Sequence, residues 1–302
     1  MKYLLMVFVT LISSMALARQ TITIVYPFPN ESITNIYRLL AAEANRSQDR
    51  YTFIVDIRPG AGGAIATNHV SNTPHTILAH TTAFFVRPNV YPRESYDLKN
   101  FRPQYVLCQV PMAVSSSRYQ TWKDVPRSTP LTIGTSGLGV TSHLISMALA
   151  QSLPNLDVVP FKSTGEALLG LVSGSIDLQV GFISEAEQWR DASGMSSRRV
   201  QILGITGSQP VNNYPTLVSQ GFARDLGSMT LAVHLVVPAI TSDAMTREFY
   251  DIFDRAARSP AVRAAFAQDN CIAQSVGFDA LLKFYQSQTD LWRRMSEKIR
   301  IN

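Results

Sequence analysis

Cysteine is nearly absent from this chain of 302 residues: Cys108 and Cys271 stand far apart, and neither has CxxC or CxxH company. Zinc, iron–sulfur and haem attachment therefore have no signal, and whether the two thiols pair is left open by the sequence. The five histidines, His69, His75, His80, His143 and His234, lack the i, i+4 spacing of metal ligands on one helix, so no metal or cofactor is expected. They read as surface or satisfied core residues. His143 alone follows a glycine turn at a helix start, where it could reach a ligand or simply bond the turn. Neither GxxxxGK[ST] nor HExxH occurs. Charge is sparse and mixed, 27 Lys and Arg against 22 Asp and Glu for a net +5, with no polybasic stripe, so nucleic acid is not an expected partner. What is plentiful is apolar material, 46% of the chain, enough for more than one buried core.

Two catalytic readings fail on detail. A nucleophile elbow would need a second glycine where Gly134-Thr135-Ser136-Gly137-Leu138 has leucine. The partial dinucleotide fingerprint Gly137-x-Gly139-x-x-Ser142 lacks the acid expected at the end of the next strand, which closes instead on Val159-Pro160-Phe161. At the amino end, Lys2, an apolar run over 3–12, and Ala16-Leu17-Ala18 have the three-part build of a secretory signal peptide over 1–18. Ten apolar residues make a helix of about 15 Å, roughly half a hydrocarbon core, so a spanning anchor is not expected. The mature protein is expected to be soluble outside the cytoplasm.

The periodicity predicts an α/β fold. Strands are expected over 21–26, 51–57 and 76–79, alternating with helices, the first capped by Ser32. A second series follows, with strands over 131–134, 157–159, 176–182 and 201–206 and helices over 141–151 and 164–172, the latter stopped by Gly174. Two longer apolar runs, 105–115 and 229–238, bracket this series and are expected to cross between two lobes with mostly parallel sheets. The expected division is 19–121 with 234–302 for the first lobe and 122–233 for the second. Helices with aromatic and methionine faces, the first capped by Ser242, are expected to complete the first lobe. Three strand-to-helix loops, 29–35, 60–64 and 135–142, present helix N-termini that suit carboxylates. Facing lobes would bring such loops to one cleft.

Val25-Tyr26-Pro27-Phe28-Pro29, Arg58-Pro59-Gly60-Ala61-Gly62-Gly63, Tyr96-Asp97-Leu98, Thr135-Ser136-Gly137-Leu138-Gly139 with Ser142-His143-Leu144, Val159-Pro160-Phe161-Lys162, Gly174-Ser175-Ile176-Asp177 and Tyr214-Pro215-Thr216-Leu217 occur in that order. This ordered set resembles the extracytoplasmic solute receptors of tripartite tricarboxylate transporters, the Bug or TctC family. The resemblance implies a periplasmic-binding-protein fold of type II, a small organic acid or amino acid held between the lobes, no catalysis and a monomer. It further implies transfer of the ligand to membrane transporter subunits, or signalling through a sensor kinase. A secreted enzyme using His143 or Ser136 is the remaining alternative. By matching position, the ligand residues implied are Phe28, Asn30, Glu31, Ser32 and Asn35 in the first loop. Thr81, Thr82 and Phe84 follow the third strand, and Thr135, Ser136, Gly137, Gly139, Ser142 and His143 come from the second lobe. Glu31 stands where the family usually has glycine. Two like charges about 4 Å apart repel by about 4 kcal/mol at an effective dielectric of about 20. A monoacid with a cationic or polar group for Glu31, such as an amino acid, is therefore the expected ligand.

Overall fold

A computed structural model describes residues 19–29, 31–94, 96–191 and 199–298. The expected signal peptide and Asn30 lie outside the described residues, as do the side chains of Glu31 and Ser32.

Each lobe is built on one sheet. The first contains β1 (Gln20–Tyr26), β2 (Tyr51–Ile57), β3 (Thr76–Thr81), β4 (Phe101–Val110), β10 (Leu231–Pro238) and β11 (Ile272–Ala273), in the order β11-β4-β10-β3-β1-β2. The second contains β5 (Met112–Ser116), β6 (Leu131–Thr135), β7 (Leu156–Pro160), β8 (Leu178–Phe182) and β9 (Gln201–Ile205), in the order β7-β6-β8-β5-β9. Both are mixed rather than mostly parallel. The crossover strands β1, β2 and β3, and likewise β6, β7 and β8, pair in parallel, whereas β10 and β5 run against their neighbours. A strand that enters a sheet directly from the other lobe has no crossover helix behind it, so antiparallel pairing is open to it.

The apolar run over 105–115 is not one strand. It breaks at Pro111, which has no N–H for a ladder, leaving β4 in the first sheet and β5 in the second. The passage between lobes therefore falls at Pro111, ahead of the expected boundary at 121. The return falls before Leu231, because β10 lies wholly in the first sheet. Gly207, with φ +96°, sits between the two passages. A Cβ there would lie 3.7 Å from Thr230 and 3.8 Å from Pro111.

Helices cover the sheets. In the first lobe these are α1 (Glu31–Arg46), α2 (Ala64–Ser71), α3 (Ala83–Val90), α7 (Asp243–Ala257), α8 (Pro260–Gln268) and α9 (Leu281–Lys298). The second lobe carries α4 (Thr141–Ser152), α5 (Thr164–Ser173) and α6 (Ile183–Asp191). Helix α1 opens at Glu31, so Ser32 is its second residue and not its cap. Ser242 does cap α7, its Oγ accepting from Met245 N–H at 3.3 Å. Phe249, Ile252, Phe253 and Ala256 then form the buried stripe, with Phe249 and Phe253 against Phe53. Gly174 ends α5 with φ +81°, as expected. Strand β8 starts two residues later than expected, and Asp177, just ahead of it, is engaged in a side-chain tie. Its carboxylate accepts from Thr132 N–H at 2.9 Å and pairs with Arg118.

Cys108 and Cys271 form a disulfide, Cα–Cα 5.4 Å, fastening β11 to β4. Among the described residues, no helix is long and apolar enough to cross a membrane.

Candidate functional site

Ligands of open α/β sheets sit beyond the carboxyl ends of the parallel strands. Here those ends from both lobes enclose a cavity of about 120 Å³. From the first lobe come Tyr26, the last residue of β1, then Phe28 and Pro29 from the loop after it, Thr81 at the end of β3, and Leu231. Pro27 stops β1 and turns the Phe28 ring edge-on to Tyr26 at 5.7 Å and to His80 at 5.4 Å. The second lobe contributes Ser136, Thr141 and Ser142 around the start of α4, and Lys162, Ser163 and Thr164 at the start of α5. Met112 and Phe182, at the ends of β5 and β8, complete the wall.

The second-lobe loop is held by its own hydroxyls. Ser142 Oγ lies 2.9 Å from both Thr135 Oγ1 and Ser136 Oγ and accepts from Ser136 N–H at 3.1 Å, while Thr135 Oγ1 donates to Gly137 O. His143 closes the turn, its Nδ1 accepting from Gly139 N–H at 3.2 Å. Burial holds the His143 pKa below its ordinary value, which keeps the ring neutral and able to accept. Ser136 has Ser142 for a partner and His143 has Gly139, so the two are not paired as nucleophile and base.

Of the residues expected from sequence, Phe28, Thr81, Ser136 and Ser142 line the cavity. Thr135 and His143 shape the loop from behind. Gly137 faces a wider opening between the lobes, beside Gly62, Arg87, Tyr91 and Lys162. Gly139, with φ +67°, packs on the first lobe, where a Cβ would meet the Tyr91 ring at 2.6 Å. Three expectations do not hold for the cavity itself. Asn35 is exposed on α1 and is not among the lining residues. Thr82 is a structural tie, its Oγ1 accepting from Ala232 N–H at 2.6 Å and donating to Thr230 O at 3.1 Å. Phe84 turns into the core and stacks on Tyr96 at 5.6 Å, because α3 begins right after β3 and rotates it away.

The sequence marks the loop 135–142 without singling out Val140 or Thr141 within it, and it does not point to Tyr26, Ala83, Met112, Lys162, Ser163, Thr164, Phe182 or Leu231. Tyr26 and Phe182 could have been found from their places at strand ends. Lys162 could have been found from the capping pattern that follows it: Ser163 Oγ accepts from Glu166 N–H and Glu166 Oε2 accepts from Lys162 N–H. That pattern marks a fourth loop with a helix N-terminus. Among the described residues, no group of three or more His, Cys, Asp and Glu could hold a metal ion.

The family model described as tripartite tricarboxylate transporter family receptor matches residues 36–301. The UPF0065 protein in the tcbD-tcbE intergenic region of Pseudomonas sp. (strain P51) is 25% identical over 304 aligned residues, 95% of this chain and 88% of that protein. Among solved structures, the periplasmic binding protein BugD superposes with TM-score 0.79 at 21% identity, covering 93% of this chain and 97% of that one. MatC from Rhodopseudomonas palustris, solved with bound malate, superposes with TM-score 0.77 at 19% identity, covering 92% and 99%. The motif order along the sequence, the mixed-sheet lobes meeting at one cavity and a family match over most of the chain have a single reading: this protein belongs to the solute-binding receptors of the tripartite tricarboxylate transporters.

Proposed function

We propose that this receptor captures a small organic acid in the cavity between its lobes and passes it, as a monomer, to the membrane subunits of a tripartite transporter. The observation that carries this reading is the convergence of two second-lobe helix N-termini and Lys162 on a cavity whose opposite wall belongs to the first lobe. Such a wall-to-wall arrangement lets closure complete the ligand's contacts, so that binding and the closed state favour each other. The malate bound by MatC, on a shared fold, supports an acid as the ligand class. The protein works without catalysis: Ser136 and His143 are each committed to bonds within their own loop. Export by removal of residues 1–18 accords with the buried Cys108–Cys271 disulfide, a bond that persists in oxidising compartments.

The test is a thermal-shift and calorimetry screen of the purified protein against organic acids, with each hit followed by NMR for product. A ligand at a hundred times its Kd is expected to stabilise the fold by about 2.7 kcal/mol and to be recovered unchanged. Conversion of a hit into a new compound would overturn the receptor reading in favour of an enzyme.

A further inference from the structure

Resting on the organic-acid reading, we infer that the cavity selects a monocarboxylate with an apolar body, seated carboxylate-first on the second lobe, over dicarboxylates and amino acids. The cavity is chemically lopsided. On its second-lobe side stand the starts of α4, 12 residues long, and α5, 10 residues long, whose opening N–H groups have no partner within their helices. Lys162 adds a cation there, and no carboxylate among the described residues forms an ion pair with its ammonium. An independent sign of a ligand is Thr141. It is 2% exposed, it lines the cavity, and its Oγ1 has no hydrogen-bond partner. Neighbouring hydroxyls are engaged already, Ser142 and Ser136 with each other and Thr164 with Glu185 Oε1 at 3.2 Å. A buried hydroxyl without a partner is costly, and a ligand oxygen seated against the start of α4, beside Thr141, would satisfy it.

The rest of the lining is Phe28, Pro29, Ala83 and Leu231 of the first lobe with Met112, Val140 and Phe182 of the second, together with Tyr26 and Thr81, and it carries no charged group among the described residues. A second carboxylate, or the ammonium of an amino acid, would be desolvated there without a counter-charge. The size agrees: about 120 Å³ is on the scale of the engineered apolar cavity of about 150 Å³ that holds benzene. Glu31, from which an amino-acid ligand was expected, has its side chain outside the described residues, so the competing preference is part of the test.

The experiment is calorimetric titration of the purified protein with benzoate, 4-methylpentanoate, malate and leucine. Leucine is 4-methylpentanoate with an ammonium added at its α-carbon, so the pair isolates that charge. Benzoate or 4-methylpentanoate is expected to bind at least about tenfold more tightly than malate or leucine. Lys162→Met and Thr141→Val, checked for native circular dichroism, are expected to weaken the monoacid about 10- to 100-fold and about 5- to 10-fold respectively. Tighter binding of malate overturns the inference and leaves the receptor reading standing. Tighter binding of leucine does the same and returns the choice to Glu31. Unchanged monoacid affinity in both variants overturns the assigned orientation. If none of the four binds and the wider acid screen is also silent, the organic-acid reading falls and takes this inference with it.

Discussion

His80 and His234 are fully buried in the first lobe, with ring centroids 6.4 Å apart, among Phe84, Phe85 and Tyr285. Burial pushes His80 down to about 4, and burial with repulsion from His80 pushes His234 down to about 3. Both rings are therefore neutral in the fold and take up a proton on unfolding below about pH 6.5. Their contribution is complete above that value and is lost as pH falls through 6.5 toward 4, at up to about 1.4 kcal/mol per pH unit for each ring. Urea melts between about pH 7.5 and 4.5 should show a falling midpoint, with the slope reduced in His80→Asn; a slope untouched by that change would remove the histidine from the account. At this scale the sequence was legible in part. Of the two alternatives open for these histidines, surface or satisfied core, both lie in the core, with His80 Nε2 left without a partner, and Phe28, Thr81, Ser136 and Ser142, which line the cavity, were named because loops after strand ends are recognisable. Thr141 was not, since nothing in the string shows that Ser142, one position on, has its hydroxyl spent on Thr135 and Ser136 while Thr141 has no partner.

Helix α3 shows how an element can hide. Pro88 lies inside it, and the sequence reading ended the segment at the third strand. Proline removes the N–H that would bond the carbonyl of Phe84, four residues earlier. Tyr96 supplies the donor instead, its hydroxyl reaching Phe84 O at 3.1 Å and Ala83 O at 3.3 Å. The Tyr96-Asp97-Leu98 motif thus has a structural meaning, with Asp97 accepting from Lys99 N–H at 2.9 Å to turn the chain behind it. Tyr96→Phe leaves a buried carbonyl without a donor and should cost about 1–3 kcal/mol in denaturant melts, with the ligand's Kd little changed. A variant as stable as wild type would mean that the helix tolerates the gap. Elsewhere the elements were readable because pattern and end-signals agreed, as at Ser242 and Gly174. The break at Pro111 was less readable, because one continuous apolar run serves two buried strands in different sheets and periodicity cannot separate them.

At the scale of the whole molecule, the disulfide closes a loop that contains the entire second lobe, yet both of its ends lie in the first. Cys108→Ser with Cys271→Ser is expected to lower unfolding stability by about 2–4 kcal/mol while leaving ligand affinity unchanged. Guanidinium melts and calorimetry on the same variant would separate the two effects, and a loss of affinity would show that the bond also governs how the lobes meet. The two-lobe plan was legible because two series of strand, turn and helix are bracketed by two long apolar runs. The positions of the passages were not, because they are decided by which sheet each strand joins.

The seating of β10 between β3 and β4 sets an order in time. Both neighbours lie more than a hundred residues earlier in the chain than the strand they flank, whereas the strands of the second sheet come from one uninterrupted stretch. Contacts that close short loops form sooner than those that close long ones. The second lobe is thus set to mature while the first is still missing its central strand. Single-tryptophan variants can watch this directly: in refolding, Trp122, packed on Phe222, should reach its native emission before the fully buried Trp292. Simultaneous recovery would make the two lobes a single kinetic unit.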